Sequence, residues 1–269
     1  MDISHQSPVI VREAVQWECS SHTTGRSYRI YTSTPPGPVP EQGYPLLLVT
    51  DAELFFASAA VEAQARGAMG DIAAPVIVGI GYGDCDPPAM HQKRIEDFGA
   101  IPTGQPSPFC QFLASELLPW IAEQWPIDAE RRSIFGFSLG ALASLQMLRH
   151  YPRAFKRHIA ASPALWWEDG ALIRAFADHR PTAAGTQLLI SWGEDEDDPR
   201  RAVTPPGMSS DEATGLVERA KIIRNAQTLV EHIRRNDIIK VETYSFPGEN
   251  HASVPWLSLS RSLGFALRG

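Results

Sequence analysis

The chain has 269 residues, 43% hydrophobic and 20% charged, a globular composition long enough for one large α/β domain or two small ones. Its formal net charge of −7 argues against nucleic acid or an anionic membrane as the main partner, and leaves open an anionic small molecule held by a local basic patch. Residues 1–8 carry neither a basic start nor an apolar core of the export type, and no run reaches transmembrane length. Cys19, Cys85 and Cys110 are odd in number and widely spaced, which suggests neither a disulfide framework nor a zinc site. The expectation is a cytoplasmic protein, monomer or homodimer.

In chain order, residues 9–15 and 28–32 read as strands joined through a turn-rich segment at 20–25, an antiparallel start. A proline-rich connection then leads to two continuously apolar runs, 44–50 and 75–82, as expected of parallel strands buried on both faces. The helical composition of residues 55–66 between them makes a βαβ unit. Residues 109–125 form an amphipathic helical pattern with a kink expected at Pro119. Strands follow at 131–137, 158–161, 187–192 and 240–244. Helices follow from 141 to about 150, at 213–235 as one long element, and at 255–267. The alternation predicts a single doubly wound, mostly parallel α/β domain over residues 1–269. Two long loops, 84–107 and 194–211, are predicted at the carboxyl ends of strands, where they would wall the ligand site.

Gly136-Phe137-Ser138-Leu139-Gly140 matches G-x-S-x-G, the nucleophile elbow of α/β-hydrolases. A buried strand ends there in a turn so tight that only small residues fit beside the serine. The helix that follows points its first amides at developing negative charge. The competing reading is a serine in an ordinary strand–helix turn.

A serine hydroxyl needs a base, and the base an orienting acid, in the order Ser, Asp or Glu, His. His158 falls in a predicted strand, and His179 and His232 in helical stretches with charged neighbours. His251 lies in a loop between the last strand and the last helix, the setting of the base. The acid belongs in Glu194-Asp195-Glu196-Asp197-Asp198, after the strand at 187–192. The offset usual in such hydrolases, three residues past Gly193, selects Glu196, with Asp195 and Asp197 as runners-up. The backbone N–H of Leu139 would supply one oxyanion donor, and Ala52 or Glu53 the second. His91, Lys93 and Arg94 offer cations to an anionic substrate. One of Trp166 and Trp167 would line the pocket while the other packs in the core. Gly79-Ile80-Gly81-Tyr82-Gly83 lacks the spacing of a dinucleotide site.

Together with Tyr28-Arg29-Ile30-Tyr31, the segment 43–51, the segment 75–82, Arg94-Ile95-Glu96-Asp97-Phe98, the segment 112–119, Ser162-Pro163-Ala164-Leu165-Trp166-Trp167 and Gly248-Glu249-Asn250-His251, the elbow resembles the esterase family that includes esterase D and the enterobactin/salmochelin siderophore esterases. The resemblance implies an α/β-hydrolase with Ser138 as nucleophile and His251 as general base, and an ester substrate. It also brings in the cytoplasmic members, which free iron from imported ferric siderophores. The chain departs from the family at Asp51-Ala52, where Asp-Gly is usual, and at Asp97-Phe98-Gly99-Ala100, where Asp-Phe-Thr-Pro is usual. The resemblance also includes members that work with a Ser–His pair and a poorly placed acid.

The reading is a serine ester hydrolase needing no metal or organic cofactor. The first substrate choice is a catechol siderophore trilactone, with Arg94 and Trp166 as candidate substrate contacts. A small acyl, acetyl or feruloyl ester is the alternative within that class. A silent hydrolase fold used for binding is the alternative outside it.

Overall fold

A computed structural model describes residues 9–100, 105–178, 184–235 and 238–268. Eight strands form one mixed sheet in the order β1-β2-β4-β3-β5-β6-β7-β8. They are β1 (Ala14–Ser20), β2 (Ser27–Ser33), β3 (Tyr44–Thr50), β4 (Val76–Gly81), β5 (Ile127–Phe137), β6 (Arg157–Ala161), β7 (Gln187–Gly193) and β8 (Lys240–Phe246). β1 and β2 pair antiparallel, as do β2 and β4. From β4 through β8 every pairing is parallel, so all five of those ladders carry their carboxyl ends on one rim. Every residue of β3 and β4 is buried, as their uninterrupted apolar runs require of strands covered on both faces.

Nine α-helices among the described residues cover the sheet: α1 (Ala52–Ala68), α2 (Pro87–Phe98), α3 (Pro108–Phe112), α4 (Leu118–Gln124), α5 (Leu139–His150), α6 (Ala171–Asp178), α7 (Ser210–Ala220), α8 (Ile222–Arg234) and α9 (Val254–Ala266). One core joins Leu46, Leu48, Ile134 and Ile190 to Leu142, Leu145 and Leu229 of the helices on one face. The other joins Leu47, Phe135 and Ile159 to Phe55 of α1 and Leu263 of α9. Burying one such side chain stabilises by roughly 1.5–3 kcal/mol, and the elbow strand β5 feeds both sets, with Ile134 in one and Phe135 in the other.

Four expected elements differ. The first strand begins at Ala14, not Val9: Glu13 takes φ 55°, and Val9 and Ile10 stand 101% and 79% exposed. Hydrophobicity without a covering surface therefore leaves that run outside the ladder. The stretch 84–107 holds α2, begun by Asp86, whose side chain accepts the Ala89 N–H, with proline in its first turn. α2 buries only Asp97 and Phe98, which is why it shows no apolar period. The pattern at 109–125 is three pieces, with a π-helical turn, Leu113–Leu117, between α3 and α4. Pro119 lies in the first turn of α4, and the wider turn before it absorbs the hydrogen bond that proline cannot donate. The long helix expected at 213–235 is divided at Lys221, which adopts φ 42°. There Asp197 accepts the N–H groups of Ile223 and Arg224 at 3.1 and 3.2 Å, capping the start of α8 from a loop outside it.

Candidate active site

β5 runs into the elbow and α5 leaves it at once. Ser138, the N-cap of α5, holds φ 55° and ψ −115°, a conformation that costs a non-glycine residue about 1–3 kcal/mol. The flanking glycines have steric reasons. A Cβ on Gly136 would stand 2.1 Å from the carbonyl oxygen of Gly140, and a Cβ on Gly140 would stand 2.4 Å from Thr50 Oγ1. The turn is also tied to the next strand: Ser138 N donates to the Ala161 carbonyl at 2.9 Å, and Ala164 N to the Ser138 carbonyl at 3.1 Å. A strained serine persists because the backbone around it is fixed on both sides.

The structure brings Ser138, His251 and Glu196 together. His251 Nε2 lies 3.1 Å from Ser138 Oγ, and its Nδ1 lies 2.5 Å from Glu196 Oε1. A carboxylate facing a ring nitrogen accepts from it, so Nδ1 carries the proton and Nε2 is left to accept from the serine hydroxyl. The imidazole lies over Phe137, ring centroids 4.8 Å apart. Glu196 is only 3% exposed, and its second oxygen accepts from Gly193 N and Ser162 Oγ, each at 2.8 Å. Burial of a carboxyl group is tolerable when its oxygens are satisfied in this way. The loops holding acid and base are themselves joined, by Glu194 N to the Phe246 carbonyl and Asp195 N to the Glu249 carbonyl, both 3.0 Å.

The neighbouring carboxylates are engaged elsewhere. Asp195 pairs with Arg201 at 3.0 Å, and Asp197 caps α8. Among the other histidines, His158 is fully buried with Nδ1 3.0 Å from the Ser144 carbonyl, and burial pushes its pKa down to about 4. It is a neutral core residue of β6. His232 sits in the last turn of α8, and His179 lies outside the described residues.

Leu139 and Ala52 are the first residues of α5 and α1, whose leading N–H groups have no acceptor within the helix. The two helix starts are pressed together, since a Cβ on Gly140 would also meet Asp51 Oδ2 at 2.8 Å. Asp51 is buried and left-handed, φ 55°. Arg94 grips it with two hydrogen bonds, from Nε to Oδ1 at 2.6 Å and from Nη2 to Oδ2 at 3.1 Å. The side chain of Glu53 accepts from Tyr82 N and Gly83 N at 2.6 and 2.8 Å, pinning the same loop to the end of β4. Ala52, where the resembling family has glycine, faces Gly79, whose Cβ would stand 2.8 Å from that of Ala52.

Sequence reasoning missed Ser162, the second hydroxyl on Glu196. Its place just after the predicted strand at 158–161 was the available signal; the structure adds its φ of 42°. It also missed the anchor of α2: Asp97, buried, accepts from Arg26, from Tyr28 Oη at 3.2 Å and from Tyr82 Oη at 3.1 Å. Burial raises the Asp97 carboxyl pKa, against the lowering effect of Arg26 and the tyrosine hydroxyls. Of the two tryptophans, Trp167 donates to the Gly99 carbonyl at 3.0 Å, whereas Trp166 lines a cavity. Among the described residues, no group of His, Cys, Asp and Glu is placed to hold a metal ion, and no helix is long and apolar enough to cross a membrane.

Comparison with known proteins shows the family. Residues 21–257 match the family described as "Putative esterase". The ferri-bacillibactin esterase BesA of Bacillus subtilis is 30% identical over 92% of this chain and 87% of its own length. The siderophore triacetylfusarinine C esterase of Aspergillus fumigatus is 26% identical over 81% of this chain and 80% of its own. Among solved structures, the siderophore hydrolase EstB of Aspergillus nidulans superposes with a TM-score of 0.84 over 98% of both chains at 23% identity. The chain therefore belongs to this esterase family and is a serine ester hydrolase of the α/β-hydrolase fold.

Proposed function

We propose that this chain hydrolyses the ester bonds of siderophores, a catechol trilactone first among them, with Ser138 as nucleophile, His251 as general base and Glu196 as orienting acid. The observation that carries the chemistry is the continuous relay from Glu196 Oε1 through the imidazole to Ser138 Oγ. The substrate class rests on the relatives named above, which act on ferri-bacillibactin and triacetylfusarinine C. Ferric ion enters as the substrate's cargo.

In the reaction, Ser138 Oγ attacks the ester carbonyl carbon as its proton passes to His251 Nε2. Glu196 holds the ring in the tautomer that accepts this proton and stabilises the imidazolium that results. Negative charge gathering on the carbonyl oxygen is met by the N–H groups of Leu139 and Ala52, each such donor being worth about 3–4 kcal/mol in the transition state. The imidazolium then protonates the departing alcohol. A water, deprotonated by the same nitrogen, attacks the acyl-enzyme, and the carboxylic acid leaves with Ser138 restored. Arg94 acts through Asp51, holding the loop that presents the Ala52 amide. Cys19, Cys85 and Cys110 are all free thiols, which supports a reducing compartment such as the cytoplasm.

The test is kcat/KM for ferric and iron-free catechol siderophore trilactones against p-nitrophenyl acyl esters. A preference for the siderophore is expected. A preference for short acyl esters overturns the substrate reading, and hydrolysis no faster than by Ser138→Ala overturns the enzyme.

A further inference from the structure

A cavity of about 340 Å³ opens between the segment after β6 and the junction of α7 with α8. Trp166, Asp169, Ile173 and Arg174 form one wall, and Arg219 and Lys221 stand on the other. Three of these are cations, and Asp169 is the one carboxylate that lines the space. Among the described residues, Arg174, Arg219 and Lys221 enter no ion pair with a carboxylate. Arg174 instead donates to the backbone carbonyls of Glu168 and Asp169. A cluster of cations without carboxylate partners, in a chain of net charge −7, sets a local field opposite in sign to that of the whole molecule.

Both walls are tied directly to the relay. Ala164 N donates to the Ser138 carbonyl at 3.1 Å, and Trp166 is two residues further, a path of at most about 7.6 Å between Cα atoms. Opposite, Asp197 follows Glu196 in the chain and caps α8 at Ile223 and Arg224, which places Lys221 at the break between the helices. The volume is at the lower end of the roughly 300–1,000 Å³ typical of ligand pockets. It suits one arm of a larger molecule whose ester lies at Ser138.

We propose that this cavity is the specificity site for a metal-bound catecholate arm, its ring against Trp166 and its charge met by Arg174, Arg219 and Lys221. The assignment rests on the siderophore reading above and adds the part of the molecule that is recognised. Ferric ion bound by three doubly deprotonated catechols keeps a net triple negative charge, whereas three hydroxamates leave the complex neutral. The cations therefore select the first over the second. The half-buried indole supplies a flat apolar face, and rim cations act on such a ligand through a field that salt screens.

The experiment uses the full chain and two substrates, a ferric tris-catecholate trilactone and a neutral ferric trihydroxamate ester. The variant is Arg174→Gln with Arg219→Gln and Lys221→Gln. A charge-keeping control carries Arg174→Lys, Arg219→Lys and Lys221→Arg, and thermal melting checks that both fold. The kcat/KM ratio of catecholate to hydroxamate is expected to fall about tenfold or more in the glutamine variant, mainly through KM, and to be largely kept in the control. Raising ionic strength should lower the ratio in the parent protein and change it little in the glutamine variant. Binding is read separately, by tryptophan fluorescence quenching on adding the ferric trilactone to Ser138→Ala with and without the three glutamines. Cleavage of the catecholate with an unchanged ratio overturns the site and spares the siderophore reading. Charge-dependent binding without cleavage supports the site and overturns the reaction. No binding at all overturns both.

Discussion

Glu196 and Asp197 are adjacent in the chain and serve two regions built on different terms. Glu196 is buried, with His251, Gly193 and Ser162 sharing its two oxygens. Asp197 reaches the other way and caps α8, below a wall whose cations are exposed. The proposed reacting groups follow strand ends, and their side-chain polar atoms all have partners, so their geometry is over-determined. The proposed selecting cations sit exposed on α6 and at the junction of α7 with α8, where exchange of one side chain disturbs little else. Two adjacent residues thus face a fixed centre and a proposed adaptable rim.

Removing the proposed nucleophile is the largest way to break the fixed region. Ser138→Ala should lower kcat by about 10⁴-fold to 10⁶-fold while leaving the melting temperature equal or higher, read by p-nitrophenyl ester turnover and calorimetry. Glu196→Gln follows, with an expected loss of about 10²-fold to 10⁴-fold in kcat. Asp195→Asn should stay within a few-fold in the same assay, and the reverse ranking would move the acid's role. Arg94→Gln strands the buried Asp51 carboxylate and should cost about 3 kcal/mol of stability. It should also lower kcat more than it raises KM if the loop it holds presents the proposed oxyanion donor.

His158 sharpens the contrast between a working and a structural histidine. Its folded pKa, about 4, lies below the unfolded value, so stability is full above about pH 6.5 and is lost as pH falls toward 4. The expected contribution is on the order of 3 kcal/mol, measured as a change in urea midpoint that His158→Gln no longer shows over that range. The smallest effect is expected on the rim. Asp197→Ala should cost about 1 kcal/mol through loss of the α8 cap, and a loss of kcat as large as that of Glu196→Gln would erase the distinction drawn between the two residues.

The amino-acid sequence by itself determined the sheet and the elbow. The runs at 44–50 and 75–82 are apolar at every covered position but Thr50, as a parallel ladder buried on both faces requires. Gly136 and Gly140 mark the turn because no Cβ fits at either place. Local patterns were silent or misleading where a distant segment decides. α2 buries only its end, so it carried no period. Lys221 divides an unbroken helical pattern because Asp197 arrives from another loop to cap the second half.

The offset past Gly193 pointed to Glu196, but three carboxylates in one loop look alike in composition, and it took the tertiary structure to show that Glu196 rather than Asp195 or Asp197 meets His251. Their roles depend on where Gly193 and Ser162 direct a side chain toward a histidine 55 positions further along the chain. It also placed Arg94 on Asp51 and gathered Arg174, Arg219 and Lys221 around Trp166. Burial and backbone strain leave their mark on neighbouring residues. The aim of a charged side chain is set by contacts between segments far apart in the chain, and no short stretch of sequence records it.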